Sequence, residues 1–278
     1  MIELPESCVL EQQLTKELEG RVIKSAVAGK SPHGFAFFMG EPADYAGKLE
    51  GKRIGRTRHY GGRVEIEVED MRLEFFDGVN MTLLAADAKR PDKHQLLLEL
   101  DDGRALVCKV QMYGGLMAYM PGELDDNMYH TVAREKPDPL TNAFDRTYFD
   151  KMLAVNGGGK LSAKAFLATE QRIPGLGNGV LQDILFVAQI HPKSKMGKLD
   201  ADDMDNMYGA VKNTLKEMTE AGGRDTEKDA YGTPGGYKTV MSKANKALVC
   251  PACGDGVKKE AYMGGSVYYC PACQPLKK

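Results

Sequence analysis

The C-terminal segment of the chain contains two identical tetrapeptides, Cys250-Pro-Ala-Cys253 and Cys270-Pro-Ala-Cys273. Each Cys-x-x-Cys turn brings two sulfurs within reach of one tetrahedral ion, and this spacing is typical of a four-thiolate zinc site. So short a segment buries too little apolar area to fold alone, and a bound metal supplies the missing free energy. Redox dithiols or disulfides are the alternative, although a redox Cys-x-x-Cys usually stands singly near a βαβ pattern. The sequence therefore predicts one structural Zn²⁺ per chain, bound by these four cysteines.

The length and composition are those of an ordinary globular protein, with 278 residues, 42% of them hydrophobic, and a net charge of −2. This length suffices for two domains besides a metal-bound hairpin. The sequence has no stretch as long as a membrane span, and its N-terminus lacks the basic and apolar regions of a signal peptide. We therefore expect a cytoplasmic protein in a reduced compartment, where thiols hold metal.

Upstream of the cysteines, the hydrophobic period changes near the middle of the chain. From about residue 20 to residue 120 apolar and polar residues alternate, most strictly in residues 64–69, which is typical of half-buried strands. Residues 96–110 predict two such strands joined by the turn Asp101-Asp-Gly103. We therefore expect a β-sandwich, preceded by an amphipathic helix over residues 9–20.

A proline-marked segment at residues 134–141 separates this part from a helical one. Beyond it, a period of about 3.6 residues predicts helices over residues 144–155, 163–171, 179–189 and 201–219. Asp200 precedes the last of these helices and is expected to cap it. The glycine-rich stretch 221–236 is expected to be a mobile loop. The sequence thus predicts an α+β, multidomain chain with domains at residues 1–133, 134–245 and 246–278.

Two local features are compatible with binding a polyanion. Residues 51–63 hold five Lys and Arg residues without an acid, although such a run is also typical of a merely solvated face. The turn Gly175-Leu-Gly177-Asn178 leads into a predicted helix, whose free backbone N–H groups could bind a phosphate together with the Asn178 side chain. Glycine turns between helices are usually only turns, so neither feature identifies a function by itself.

Four motifs, taken in order, resemble the formamidopyrimidine-DNA glycosylase and endonuclease VIII family of base-excision repair enzymes. The first is Glu3-Leu-Pro-Glu6, and the second is the interdomain segment Lys136-Pro-Asp-Pro-Leu140. Residues 166–178, which end in Arg-Ile-Pro-Gly-Leu-Gly-Asn, are similar to the family's helix–two-turn–helix element. The zinc hairpin ending in Cys-Pro-Ala-Cys-Gln274 is the fourth. The resemblance spans nearly the whole chain.

The resemblance implies an N-terminal β-sandwich, a helical domain with the helix–two-turn–helix and a C-terminal zinc β-hairpin. It also implies a monomeric, nucleoid-associated enzyme that binds damaged double-stranded DNA, flips the lesion base out of the stack and hydrolyses its N-glycosidic bond. The family's nucleophile is the α-amine of an N-terminal proline exposed by removal of the initiator Met. An α-amine titrates near pH 7.7–8.0, against about 10.4 for lysine, so far more of it is unprotonated at neutral pH. It can therefore form a Schiff base with the sugar C1′.

Position 2 departs from the family pattern, because Ile2 stands where the family has proline. A bulky second residue usually protects the initiator Met, so the free amine is expected on Met1, displaced by up to about 3.8 Å. Positional errors near 1 Å can cost about a hundredfold in rate. If Met1 is removed, Ile2 offers a primary amine in the right place. In either case Glu3 matches the family's catalytic general acid and base, and Glu6 matches the second acid of the motif.

The positions expected to contact DNA also depart from the family. His59, with Arg58 as a substitute, stands at the family's basic residue of the β-domain, and the intercalation loop reads Gln111-Met112-Tyr113 instead of ending in Arg-Phe-Gly. Gly265 stands where the family's hairpin has a phosphate-binding Arg. The residues expected to bind DNA are Arg58, His59, Gln111, Met112, Tyr113, Lys164, Asn178 and Lys258.

Two functions remain open at this point. The first is an active glycosylase, with or without AP lyase activity through an N-terminal amine, and it is motivated by Glu3, Asn178 and the zinc hairpin. The second is a catalytically weakened or inactive relative that binds abasic or damaged DNA without cleavage. It is motivated by departures that fall on functional positions while the scaffold motifs persist.

Overall fold

The structure is a computed structural model that describes residues 1–155 and 157–277. The chain forms two compact units. Unit 1 comprises Met1–Arg134 and Gly222–Gly235, and unit 2 comprises Glu135–Ala221 and Gly236–Lys278. The glycine-rich segment expected to be a mobile loop thus belongs largely to unit 1, although it lies between two parts of unit 2 in sequence.

Unit 1 consists of one sheet with helices packed on it. The helices of this part are α1 (Leu4–Leu18), α2 (Tyr45–Leu49) and α3 (Met128–Glu135), with a 3₁₀ turn at Pro42–Asp44. Its strands are β1 (Ile23–Ala28), β2 (Ala36–Phe38), β3 (Ile54–Tyr60), β4 (Arg63–Val68), β5 (Met71–Leu84), β6 (Leu96–Leu100) and β7 (Ala105–Tyr119).

The strand order in the sheet is β1-β6-β7-β5-β4-β3, and β2 pairs in parallel with β7. The long strands β5 and β7 pair with each other on both sides of a register shift between Asp77 and Val79. Apolar residues from the strands of this sheet and from α1 form one core. The predicted β-sandwich is therefore confirmed, with the refinement that hydrogen bonds join its strands into a single sheet.

Helix α1 begins at Leu4, so the prediction that it starts near residue 9 was wrong. Its N-cap is Glu3, whose backbone is extended, and Pro5 lies in the first turn, where proline is favoured because its missing N–H is not needed. The Glu3 N–H donates to Glu6 Oε2 at 3.3 Å, as in a capping box. Leu10, Leu14 and Leu18, which recur at helical spacing, are all buried. The early start makes Glu3 the N-cap and places Glu6 in the first turn.

Unit 2 is helical and ends in a hairpin. Its helices are α4 (Arg146–Ala154), α5 (Ala163–Ala168), α6 (Asn178–Val187) and α7 (Ala201–Glu220), with 3₁₀ turns at Gly158–Lys160 and Met196–Lys198. Its strands, β8 (Lys258–Tyr262) and β9 (Gly265–Tyr269), pair antiparallel. The four predicted helices and the hairpin are confirmed. Asp200 caps α7 as predicted, accepting a hydrogen bond from the Asp203 N–H at 2.9 Å.

Within the described part of the chain, none of the helices combines the length and the apolar character that crossing a bilayer requires.

Candidate functional site

The N-terminus of unit 1 is fixed to strand β5. The Ile2 N–H donates to the carbonyl oxygen of Asp77 at 2.6 Å, in an isolated antiparallel bridge. Ile2 is buried, whereas the Met1 ammonium, one residue further out, forms an ion pair with Glu227. The two candidate amines therefore have different surroundings, because the Ile2 nitrogen lies in the bridge and the Met1 nitrogen lies against a carboxylate.

Glu3 and Glu6 are both buried and face one cation, Arg224. The Nε and Nη2 atoms of Arg224 donate to the two oxygens of Glu6 at 2.9 and 2.7 Å, which is bidentate geometry. Its Nη1 lies 3.4 Å from Glu3 Oε2. Burial alone would raise the pKa of Glu6, but the charge and hydrogen bonds of Arg224 outweigh it and lower that pKa below its ordinary value. Glu6 is therefore held as a carboxylate.

A third acid, Asp77, borders the N-terminus, and no sequence motif marks it. Its backbone has a positive φ of 59° at the register shift of β5. Burial raises the pKa of Asp77, and the charges of Arg63 and the N-terminus oppose that rise. Asp77, Glu227 and Arg224 are brought to the N-terminus by the fold alone, because each is far from it in sequence and outside any recognisable motif.

The predicted intercalation residues form a bulge in β7. Asp77 pairs with Gly114 and Val79 with Val110, so residues 111–113 oppose Gly78 alone and protrude from the sheet. A side chain at Gly78 would collide with the carbonyl oxygens of residues 111 and 113, so only glycine permits this bulge. Met112, with φ 68°, is 71% exposed, and Gln111 and Tyr113 are exposed too.

The bulge also lies close to the acid cluster. Burial raises the pKa of the Tyr113 hydroxyl, and the negative charges of Asp77 and Glu3 raise it further. Strand pairing places these groups close together, because Asp77 pairs with Gly114, which follows Tyr113, and with Ile2, which precedes Glu3. The structure thus brings together, in unit 1, the N-terminus, Glu3, Glu6 and the exposed residues of the bulge.

Arg58 and His59, on β3, have different environments. Arg58 is about half exposed and its Nε lies 3.3 Å from Glu67 Oε1. His59 packs against α1 instead, with Nε2 3.4 Å from Glu11 Oε2 and Nδ1 3.5 Å from Ser7 Oγ. Of the two residues, Arg58 is the one whose charge is presented to solvent.

In unit 2, the N-terminus of α6 is joined to the hairpin by polar side chains. Asn178 is exposed, and its Nδ2 donates to the Ser266 carbonyl at 3.1 Å. Gln182, one turn further along, donates to the same carbonyl at 3.0 Å and accepts from the Tyr268 N–H at 3.1 Å. The exposed end of α6 and strand β9 are therefore neighbours.

Lys164 lies in a different environment from the one predicted. It is 4% exposed, and its Nζ donates to the Tyr262 carbonyl at 2.7 Å. Burial lowers the pKa of this lysine. The hydrogen bond of Lys164 therefore links α5 to the hairpin, and little of this side chain is available to DNA.

The hairpin presents two exposed lysines, Lys258 and Lys259, on β8. Across the hairpin, Gly265 begins β9 beside the end of α6. A Cβ atom at Gly265 would meet the Asn178 side chain at 3.5 Å, which is ordinary van der Waals contact. A side chain at position 265 would therefore fit there and lie next to Asn178.

The four predicted metal ligands converge at the base of the hairpin. The sulfurs of Cys250, Cys253, Cys270 and Cys273 all lie within 4.8 Å of one another, so this cluster could hold a metal ion. The Cys250–Cys273 and Cys253–Cys270 Sγ atoms are 3.8 and 3.5 Å apart. Four thiolates about 2.3 Å from a tetrahedral Zn²⁺ would be about 3.8 Å apart. The cluster geometry therefore fits zinc and is far too open for disulfides.

Comparison with known proteins agrees with the four motifs. Residues 136–229 match the family model described as "Formamidopyrimidine-DNA glycosylase H2TH domain". The formamidopyrimidine-DNA glycosylase of Legionella pneumophila (strain Paris) is 27% identical over 285 residues, covering 99% of both chains. That of Halorhodospira halophila (strain DSM 244 / SL1) is 31% identical over 196 residues, covering 69% of this chain and 70% of the relative.

A solved structure agrees with the fold along nearly the whole length. The Fpg protein of Lactococcus lactis, in complex with DNA containing an abasic site, superposes with a TM-score of 0.79 at 22% identity. The match covers 98% of this chain and 99% of that one. The sequence relatives, the domain match and the common fold lead to one conclusion: the chain belongs to the formamidopyrimidine-DNA glycosylase family.

Proposed function

We propose that this protein is a DNA repair glycosylase that binds damaged double-stranded DNA, turns the damaged base out of the stack and hydrolyses its N-glycosidic bond. The observation that carries the proposal is the placement of Glu3, buried beside the N-terminal amine and within 3.4 Å of Arg224. The family membership supports it, and so does the Lactococcus lactis relative, which was solved with abasic-site DNA. We further propose that the protein acts on DNA as a monomer and in the cytoplasm.

Glu3 moves protons at the sugar in the proposed reaction. The bond from C1′ to the base nitrogen breaks, its electron pair leaves with the base, and a new bond forms from C1′ to a nucleophile. In simple hydrolysis the nucleophile is water, and Glu3 accepts the proton that the water loses. In the lyase route the nucleophile is an amine, which must be unprotonated to have a lone pair for C1′.

The lyase route depends on which amine is free. With Met1 present, the amine is an ammonium paired with Glu227, and this pairing opposes attack on C1′. If Met1 is removed, the amine of Ile2 directly precedes Glu3 and lies 2.6 Å from the Asp77 carbonyl. We therefore propose that excision relies on Glu3 in both forms and that lyase activity appears only after loss of Met1.

The DNA contacts we propose fall on both units. Met112 and Tyr113 fill the space that the flipped base leaves, as exposed apolar wedges do in other DNA-bending proteins. Arg58, Asn178 and Lys258 contact phosphates. The four cysteines hold Zn²⁺, which folds the hairpin and so positions Lys258.

Two measurements on the purified protein test this proposal. Intact mass would show the state of the N-terminus, and borohydride reduction on abasic-site DNA would trap any Schiff base. We expect base excision from both forms and a trapped complex only from protein that begins at Ile2. An engineered Ile2→Pro chain, from which Met1 is readily removed, is the positive control. Trapping by protein that retains Met1 would refute the link between Met1 removal and lyase activity.

A second candidate function is binding to abasic or damaged DNA without cleavage. The Met1–Glu227 ion pair favours it, because this contact occupies the amine that would otherwise attack C1′. The test compares protein that retains Met1 with protein that begins at Ile2. If both forms bind abasic-site DNA specifically and neither excises any tested oxidised base, this candidate is established and the first is overturned.

Restoring an arginine at position 265 should strengthen DNA binding. The site next to Asn178 accepts a side chain without collision, and a guanidinium there would add a bidentate phosphate contact. We expect Gly265→Arg to lower the Kd at least about fivefold and to steepen its salt dependence by about one ion. Gly256→Arg is the matched control, since position 256 is also open and lies in the same zinc segment. Equal effects of the two variants would mean that added charge alone is responsible.

A further inference from the structure

The segment Gly222–Gly235 is bound along α1 by hydrogen bonds. Gln13 donates to Asp229 at 3.0 Å and accepts from the Ala230 N–H at 2.9 Å, and the Tyr231 hydroxyl donates to Glu17 at 3.0 Å. Ala230 is fully buried in the core of unit 1. The segment is therefore an ordered part of unit 1, and its first residues lie beside the N-cap of α1.

Three glycines permit the close approach that places Arg224. Gly222 and Gly223 have φ values of 78° and 97°, which L-residues rarely adopt. A Cβ at Gly235 would collide with the backbone of Gly223, and the Gly235 N–H donates to the Arg224 carbonyl at 3.2 Å. These glycine contacts and this hydrogen bond fix the backbone around Arg224. The Arg224 side chain therefore starts from a defined position next to Glu6.

Arg224 is 2% exposed and faces two buried carboxylates, Glu3 and Glu6. Glu6 receives three of its hydrogen bonds, from Nε, Nη2 and the backbone N–H, at 2.9, 2.7 and 3.2 Å. The remaining guanidinium nitrogen, Nη1, lies 3.4 Å from Glu3 Oε2. Glu6 therefore orients the guanidinium group, and the Nη1 atom, which Glu6 does not bind, faces Glu3. A buried cation shared by two acids is costly to remove, because it leaves uncompensated charge.

We propose that Arg224 is the positioning residue of the reaction, held by Glu6 so that it keeps the Glu3 carboxylate ionised and fixed beside the N-terminal amine. This inference rests on the proposed function, since it assigns Glu3 the proton-transfer role. The other charged or titratable groups around Glu3 are Glu6 on α1, Glu227 in the segment, Asp77 on β5, Tyr113 on β7 and the N-terminal ammonium. Three of these five are carboxyl groups and one is a phenol, so Arg224 and the ammonium are the charges that favour ionised Glu3.

Two substitutions of Arg224 separate its charge from its shape. Arg224→Met keeps the aliphatic stem and removes the charge, so we expect kcat for base excision to fall about a hundredfold. We expect the acidic limb of the pH–rate profile to move up by at least about one pH unit, because Glu3 loses its nearest cation. Arg224→Lys keeps the charge but cannot bind Glu6 in a bidentate manner, so it should restore the pH profile and only part of kcat.

Gln13→Ala is the matched control for a purely structural role. It loosens the same segment from α1 and leaves the charges at Glu3 unchanged. It should therefore lower the melting temperature without moving the pH profile. If Arg224→Met and Gln13→Ala give equal melting temperatures and the same unshifted pH profile, Arg224 has only a structural role and the inference is overturned.

A measurement without substrate keeps this test separate from the proposed function. The carboxyl carbons of ¹³C-labelled glutamates are followed by NMR as the pH changes, and the Glu3 signal is assigned by its loss in Glu3→Gln. We expect Glu3 to titrate at higher pH in Arg224→Met than in the native protein. If Arg224→Met does not fold, Glu6→Gln should shift Glu3 downward, since Arg224 then serves one acid. An unmoved Glu3 signal in both variants would refute the inference, whereas absence of excision by the native protein would refute only the proposed function.

Discussion

Replacing Glu3 with glutamine is expected to reduce base excision by at least about a hundredfold while leaving DNA affinity within about twofold of the native value. The substitution keeps the size and the hydrogen-bonding shape of the side chain but removes its ability to exchange a proton. Positioned proton transfer contributes about 10²–10⁴-fold to rate. Glu3 is buried, so it adds little to the surface that contacts DNA. Single-turnover excision from an oxidised-base duplex and fluorescence anisotropy on abasic-site DNA measure the two quantities.

The matched control for this prediction lies at the other end of the same helix. Glu19 is the exposed C-cap residue of α1, and Glu19→Gln removes one negative charge there without touching the acid cluster. Its excision rate should equal that of the native protein. Excision that persists unchanged in Glu3→Gln would show that another group, with Asp77 as the first candidate, transfers the proton.

Removal of zinc is the second prediction with a large expected effect. The hairpin has a small core, in which the apolar residues Met241, Val257 and Tyr268 pack with the buried ligands Cys250 and Cys270. Because so little apolar area is buried, the free energy of metal binding, about 10–16 kcal/mol for comparable zinc sites, has to sustain the fold. Chelation should release one zinc per chain, unfold β8 and β9 and weaken DNA binding at least about tenfold.

Substitutions of single cysteines test the same dependence on zinc without a chelator. Cys253→Ser should lose zinc and DNA affinity together, because it removes one of four ligands. Cys8→Ser changes a half-buried cysteine of α1 in unit 1 and should retain both. Zinc content by a colorimetric assay, far-UV circular dichroism and anisotropy give the three readings. Full affinity in protein that has demonstrably lost its zinc would refute the dependence.

The sequence predicted those parts of the fold that local signals determine. Asp200 at a helix start and the glycine turn before Asn178 mark ends that the structure reproduces within a residue or two. Helix α1 was placed too late because its apolar period begins at Val9, whereas its true start is set by Glu3, Pro5 and Glu6. That capping signal is present in the sequence, where it coincides with the family motif Glu3-Leu-Pro-Glu6. Helix α3 has only eight residues, fewer than the roughly 11–18 residues over which a helical period is recognised.

The candidate site was predictable where ligands are close in sequence and not where the fold joins distant residues. The four cysteines fall into two local pairs, and their spacing alone indicated a shared ion. Lys164 was expected to bind DNA, but its ammonium donates to a carbonyl of β8, a strand far from it in sequence. Arg224 lies in a glycine-rich stretch whose composition suggested a loop, and its partners are near the other end of the chain. Such contacts depend on tertiary structure, which no local pattern encodes.

The 218-residue separation between Glu6 and Arg224 has a consequence for the synthesis of the protein. At about 5–20 residues per second, the ribosome needs roughly ten to forty seconds after Glu6 to reach Arg224. During that time the nascent β-sheet can form, but Glu3 and Glu6 lack the guanidinium of Arg224 and the core lacks Ala230. The order of translation therefore delays assembly of the proposed catalytic centre until the helical part has been made. An amino-terminal fragment released early would have the sheet without a completed acid cluster.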